Sequence, residues 1–393
     1  MSIVENQRRV LLEFIRALRP HWRRDAALPD RIERLLRGDR RLGSRDRRLY
    51  RELLYTTLRF LPWIEPSLDS AADRAVEAAA LLSADLPSTR AFRSAFGAPA
   101  GEPPAGVAAK AALVAGILGE SAGIPLLPDW FRAECPEAFS GPDYESLANR
   151  APLWLRLQSG DAAPVLAEFS ARGWPWRVSP ALPTAIRLAP DTDVKGTDAY
   201  RSGCVEIQDV GSQLILEAAA ISAGGAWLDA CAGAGGKTLQ LATLLGPSGR
   251  VDALDPRPAA LAELGRRAAR AGLDGAIRLP GVPGAAYDGV LVDAPCSGSG
   301  TWRRSPHLKW TTSAARVADC AALQLSLLSR YARHVRPGGT LIYATCSLCR
   351  SENEAVAAAF LASSPEFAQR GPGIRISPSA NDGDGYFMAV FKR

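Results

Sequence analysis

The second half of this 393-residue chain reads as a doubly wound, mostly parallel α/β sheet. Three observations predict it. Short apolar runs alternate with helical stretches, a pattern that builds parallel sheets covered by helices. A glycine-rich turn, Cys231-Ala232-Gly233-Ala234-Gly235-Gly236-Lys237, follows the first of these runs. Two cysteines, Cys296 and Cys346, each lie just beyond a later run. Ligands of an open α/β sheet bind beyond the carboxyl ends of its strands, so both thiols are expected at one crevice.

The runs are placed in order as follows. Ala226–Ala230 is the first strand, and Thr238–Leu245 the helix after the turn. Arg250–Asp255 is the second strand, with helix Arg257–Ala271 behind it. Ala276–Leu279 is a weaker third strand. Asp288–Asp293 is the fourth, followed by helix Ser313–Val335, and Thr340–Thr345 is the fifth. Ser351-Glu352-Asn353-Glu354 has the spacing of a capping box for a helix ending near Ala362. Tyr386–Phe391 is expected as an edge strand that closes the sheet.

The first part of the chain differs. Val10, Leu11, Phe14, Ile15 and Leu18 recur at helical spacing, as do Leu49, Leu53, Leu54 and Leu58. Ala71–Leu82 and Val107–Leu118 continue the pattern with alanine as the main helix former. Residues 97–104 are rich in Gly and Pro and read as an exposed loop. Prolines multiply from Pro125 to Pro152 and the periodicity fades. Three domains are therefore expected: an all-α domain over 1–145, a small α/β piece over 150–206, and the sheet domain over 207–393. Within the small piece, Pro152–Leu157 and Ala185–Leu188 read as strands and Leu166–Ala171 as a short helix.

Composition narrows the class. Seven cysteines, an odd count, and three histidines argue against a disulfide scaffold or a zinc site. No apolar stretch approaches the ~20 residues a membrane span needs, and no secretory signal is recognised. A cytoplasmic, monomeric chain with reduced thiols and no metal is expected. The net charge of +6 is uneven: residues 1–60 hold 16 Arg against 8 acids, giving +8 there and −2 in the remainder. Such a segment suits a polyanion such as nucleic acid; a solvated helix face with local ion pairs accounts for it equally well.

The glycine turn leaves three nucleotide readings to separate. A P-loop would need glycine where Cys231 stands, although Gly236-Lys237-Thr238 fits its end. The dinucleotide fingerprint would need glycine where Thr238 stands. What remains is a short glycine turn with an acid, Asp255, ending the second strand, where it suits paired ribose hydroxyls. Adenosine without a phosphate requirement points to S-adenosylmethionine. The bland alternative is a structural tight turn.

At this point the chain resembles the Sun-type (Fmu-type) RNA cytosine-5 methyltransferases. Asp229–Thr238 is similar to their Asp-x-Cys-Ala-x-Pro-Gly-Gly-Lys-Thr, with Ala234 in place of proline. Asp293-Ala294-Pro295-Cys296-Ser297-Gly298 and Thr345-Cys346-Ser347 match two further motifs. Residues 303–310 are similar to the Arg-Arg-His-Pro-Asp-Ile-Lys-Trp of the bacterial small-subunit (16S) rRNA branch, with Ser305 and His307 as departures. The helical start looks like that branch's NusB-like RNA-binding domain. An acid that in the family follows the third strand is missing from Leu279–Gly284, so weaker or differently made adenine contacts are expected.

The resemblance implies a Rossmann-like methyltransferase with S-adenosylmethionine as cofactor and RNA, most simply 16S rRNA, as partner. It makes Cys346 the nucleophile, Cys296 the group that helps remove the carbon-5 proton, and Asp293 the group that meets the base. It puts the cofactor against Cys231, Ala232, Gly233, Ala234, Gly235, Gly236, Lys237, Asp255 and Asp293. Arg303, Arg304, Lys309, Arg45, Arg47 and Arg48 are the candidate RNA contacts, with Trp302 or Trp310 for stacking. The other cysteines, Cys135, Cys204, Cys320 and Cys349, read as small apolar residues. Alternatives kept open are tRNA or 23S rRNA as target, and a non-catalytic RNA-binding assembly or antitermination factor.

Overall fold

The computed structural model describes residues 2–158, 160–284 and 286–393. The chain folds as two compact units. Unit 1 is Met1–Asn149 together with Trp302–Ser313, and unit 2 is Arg150–Thr301 with Ala314–Arg393. The expected all-α stretch thus gains a second segment from late in the chain, and residues 150–206 group with the large sheet.

Unit 1 is helical. Helix Ile3–Leu18 starts at a capping box, where Ser2 and Glu5 satisfy each other's backbone N–H. Its apolar stripe, Val10, Leu11, Phe14, Ile15 and Leu18, is buried. It meets Leu49, Leu53, Leu54 and Leu58 of helix Ser44–Arg59 and Val76 of helix Ala72–Leu82 in one core. Helix Val107–Leu118 has the expected bounds. Helix Leu28–Gly38 was not expected; only Leu28, Ile32 and Leu36 of it are buried, a narrow stripe among charged residues. Residues 131–147 hold three short helical pieces, too brief for a periodic signal. From the late segment, Trp310 joins the same core as Leu58 and gives its indole N–H to the Leu58 carbonyl at 2.6 Å.

Unit 2 holds two sheets. The smaller is antiparallel, in the order β2 (Arg177–Val178), β3 (Ala185–Leu188), β1 (Leu153–Leu157), β4 (Val205–Ile207). Val165 and Phe169 of helix Ala163–Ala171 pack on Leu155, Leu157, Ile186 and Leu188. The larger sheet contains β5 (Gly225–Asp229), β6 (Gly249–Ala253), β7 (Ile277–Arg278), β8 (Tyr287–Asp293), β9 (Val335–Thr345), β10 (Ala368–Gln369), β11 (Ile374–Ile376) and β12 (Tyr386–Lys392). Its order is β10-β12-β9-β8-β5-β6-β7, with β11 also paired to β12. β5 through β9 are parallel, and β12 runs antiparallel to β9.

Successive residues of these strands go to opposite faces, as strand geometry requires. Trp227, Val251, Leu291, Ile342, Met388 and Val390 meet helices Val210–Ala218, Gly236–Leu245 and Pro258–Arg270 on one face. Leu228, Val290, Val292, Leu341, Tyr343, Phe387 and Phe391 meet helices Ala314–Ala332 and Glu354–Ser363 on the other. The doubly wound reading stands. The edge-strand expectation for Tyr386–Phe391 does not: β12 lies between β9 and the short strands β10 and β11. Its residues Tyr386–Phe391 are buried because both faces are covered.

Candidate active site

β8 and β9 are parallel neighbours in register, Asp293 beside Ala344. The loops that leave them therefore emerge side by side. The Ala294 N–H donates to the Ala344 carbonyl at 2.9 Å, and the Gly300 N–H donates to the Cys346 carbonyl at 3.0 Å. A Cβ on Gly300 would fall 2.9 Å from the Cys346 carbonyl oxygen and 2.0 Å from that of Gly385, so the loops can close together only over a glycine. The result is a pair of sulfurs: Cys296 Sγ lies 3.3 Å from Cys346 Sγ. The shared hydrogen bond with Cys346, then burial, hold the Cys296 thiol well above the usual thiol range. The charge on Cys346 adds to the rise, and the buried carboxylate of Glu352 adds less.

The glycine turn lies at the end of β5. Gly235 adopts φ +91°, and a Cβ there would press on Leu264 at 2.7 Å. The Gly233 N–H donates to Asp255 Oδ2 at 2.9 Å, joining the turn to the end of β6. Asp255 also takes both the Nε and Nη2 of Arg257, at 2.8 and 2.9 Å. That ion-paired hydrogen bond is the main reason its carboxyl is held below the usual range. Asp229 accepts from the Thr238 hydroxyl at 2.7 Å. Burial pushes the Asp229 carboxyl up to about 7 against that hydrogen bond, and the charge of Asp293 adds to the rise. Lys237 Nζ donates to Asp293 Oδ2 at 2.8 Å and stands 5.0 Å from the centre of the Tyr386 ring. Burial also raises the Cys231 thiol, which suits a packing role for that side chain.

The structure brings together Asp229, Lys237, Asp255, Asp293, Cys296 and Cys346 at the carboxyl ends of β5, β6, β8 and β9. It treats the expected RNA contacts differently. Lys309 is fully buried in unit 1, and its Nζ has no hydrogen-bond partner among the described residues. Burial and the nearby Arg59 drive its ammonium well below the usual lysine range. Arg303 is buried as well, and its carbonyl accepts from Arg59. Trp302 packs on Phe131, ring centres 4.6 Å apart. Burial takes Lys309, Arg303, Trp302 and Trp310 out of reach of a phosphate or a base, whereas Arg304 is exposed. Arg45 donates to the Pro87 carbonyl and Arg47 to that of Leu36, and Arg48 is exposed.

Several residues of the site escaped the sequence reading. Thr238 was seen only as the end of a motif, yet it carries Asp229. Glu352 and Asn353 were read as helix caps. Asn353 does occupy the N-cap of Glu354–Ser363, but its side chain makes no cap bond. Instead it accepts from the Thr345 hydroxyl at 2.6 Å and donates to the Ser347 carbonyl at 2.9 Å. The available signal was their closeness in sequence to Cys346.

The parallel sheet, its glycine turn and the thiol pair beyond β8 and β9 make a Rossmann-like domain. Solved structures show the same fold. PH0851 matches over the full length of both chains with TM-score 0.73 and 21% identity. NSun6 from Pyrococcus horikoshii, solved with SFG, has TM-score 0.59 and 16% identity, covering 67% of this chain and 98% of its own. Residues 217–392 match the model of the 16S rRNA methyltransferase RsmB/F family, and in this region the chain is similar to that family. Curated relatives named ribosomal RNA small subunit methyltransferase B include that of Cronobacter sakazakii, 32% identical over 260 residues, 62% of this chain and 60% of the relative. That of an Enterobacter species is 32% identical over 286 residues, 67% and 66%. The chain thus spans about three fifths to two thirds of the length of these relatives.

The methyl donor of such a methyltransferase is S-adenosylmethionine, and the residues present fit it. Asp293 is partly exposed beside Lys237 and can meet a cationic group of the cofactor. Asp255 stands where ribose hydroxyls would lie, once the exposed Arg257 gives way. The first N–H groups of helix Gly236–Leu245 face a carboxylate's requirements. Among the described residues no group of three or more His, Cys, Asp or Glu is arranged to hold a metal ion. Among them also, no helix is long and apolar enough to cross a membrane.

Proposed function

We propose that this protein methylates carbon 5 of a cytosine in RNA, with small-subunit ribosomal RNA as the substrate. The observation that carries this reading is the pair of thiols 3.3 Å apart beyond two adjacent parallel strands. Carbon 5 of cytosine is a poor nucleophile, and a thiolate added at carbon 6 converts the ring into a reactive enamine. Cysteine suits that step because it ionises near neutral pH and is strongly nucleophilic. When bound, S-adenosylmethionine supplies an electrophilic methyl group.

Cys346 forms the bond to carbon 6. Asp293, steadied by Lys237, meets nitrogen 3 of the base as charge develops there. Cys296 takes the carbon-5 proton, after which the bond from Cys346 to carbon 6 breaks and the thiolate is restored.

The target base must leave its stack to reach such a site, which favours a loop or bulge. We assign RNA binding to the arginine-rich helical unit, as a NusB-like module, with Arg45, Arg47, Arg48 and Arg304 as phosphate contacts. Adenine binding is expected to be weaker or differently made than in acid-bearing relatives, because exposed Leu279 and Val282 follow β7. The small-subunit target is supported by the names of the curated relatives.

Bisulfite sequencing of RNA from cells with and without the gene tests the reading. Loss of one methylcytosine in small-subunit rRNA is expected. Loss in tRNA or large-subunit rRNA would keep the chemistry and move the target. No loss anywhere, with purified protein also inactive on rRNA, would leave an RNA-binding assembly factor.

A further inference from the structure

Glu352 is fully buried, yet it lies in a short helical turn outside the residues assigned above. Its Oε1 accepts from the Ser297 N–H at 2.7 Å and the Gln324 amide at 3.1 Å. Its Oε2 accepts from the Ser297 hydroxyl and, at 2.5 Å, from the Ser347 hydroxyl. Ser297 follows Cys296, and Ser347 follows Cys346. One carboxylate therefore joins the loop after β8 to the loop after β9, one residue beyond each sulfur. Gln324 extends the network by donating to the Pro295 carbonyl at 3.0 Å, and its own oxygen accepts from Tyr343 at 3.1 Å. Ser299 adds a second crossing, with its hydroxyl 3.0 Å from that of Ser347 and 2.8 Å from the Leu348 N–H.

Burying a carboxylate among neutral donors is costly unless all its acceptor sites are used. An apolar residue of similar size would fill the space without that cost. The arrangement makes sense if the two loops must be held at one spacing, which hydrogen bonds of defined length and direction do better than apolar packing. Resting on the reaction proposed above, we propose that Glu352 is a positioning residue: it locks the Cys296 and Cys346 loops together so that both sulfurs act on one base.

The test uses the full chain and RNA carrying 5-fluorocytosine at the target, whose fluorine prevents the final elimination and traps the covalent adduct. Glu352→Gln keeps the shape but turns one acceptor into a donor facing donors. Expected are a fall of about 10–100-fold in kcat and in the rate of adduct formation. The KM values for S-adenosylmethionine and RNA should stay within about twofold. Ser297→Ala and Ser347→Ala, which remove one tie each and leave the carboxylate, should give smaller losses of the same kind. If Glu352→Gln fails to fold, these two variants decide the matter. Wild-type adduct and turnover rates in folded Glu352→Gln or in both serine variants would overturn the positioning role alone. Loss of cofactor affinity in step with kcat would overturn it in favour of general structural support. Absence of any adduct with the wild-type protein would overturn the underlying reaction, and this proposal with it.

Discussion

Lys237 Nζ stands 2.8 Å from Asp293 Oδ2, joining the helix after the glycine turn to the end of β8. Truncating one partner of a buried pair leaves the other uncompensated; Asp293 is partly exposed, so the cost here is reduced to about 1–3 kcal/mol. Lys237→Met should therefore lower kcat/KM by about 10–100-fold, with Lys237→Arg partly active. Methyl transfer from labelled cofactor measures this. Unchanged activity in Lys237→Met would reduce the lysine to a packing residue.

The two thiols should separate cleanly. Cys346→Ala is expected to abolish methyl transfer while cofactor binding, measured by calorimetry, persists. Cys296→Ala should instead accumulate a protein–RNA adduct that survives denaturing electrophoresis, because the bond from Cys346 forms but the carbon-5 proton stays. Retained turnover in the first variant, or no adduct in the second, would contradict the roles assigned.

Asp229 links stability to pH. Its carboxyl is raised to about 7 in the folded chain from an ordinary value of 3.8. A raised carboxyl binds its proton more tightly when folded, so its stabilising contribution is complete below about 4 and is lost as pH rises to about 7. Asp229→Asn removes that loss. Its stability relative to wild type should improve on going from pH 4 to pH 8, by on the order of 2–4 kcal/mol. Urea unfolding at both pH values checks this, and parallel pH profiles for the two proteins would refute it.

The late segment of unit 1 gives a test of packing against recognition. Lys309 is buried and its Nζ has no partner among the described residues, so Lys309→Met should stabilise the helical unit, or leave it unchanged, and spare RNA affinity. Trp310→Ala should destabilise it by about 3–5 kcal/mol, since the indole is lost from the core around Leu58. A large drop in RNA affinity for a well-folded Lys309→Met would restore the phosphate contact the sequence suggested.

Much of unit 2 was legible because its signals are local. Strand–helix alternation marked β5 to β9, and the glycine turn and both cysteines sit at strand ends that can be read from the chain. The antiparallel strands β2, β4, β10 and β11 were missed because two or three residues carry no periodicity. Trp302, Arg303, Lys309 and Trp310 were misread for a different reason. An Arg, Lys and Trp cluster looks the same whether it faces solvent and RNA or a helical core, and only burial distinguishes the two.

The sequence by itself determined the class of sheet, the order of its main elements and the residue types able to do thiol and cofactor chemistry, since these follow from spacing along one strand or turn. Only the tertiary structure decided that β12 is interior, that Trp302–Ser313 belongs with the helices, and that Glu352 faces two cysteine loops instead of capping a helix. Each of those depends on pairing and packing between residues far apart in the chain, where hydrogen-bond register and desolvation set the outcome and local pattern carries no information.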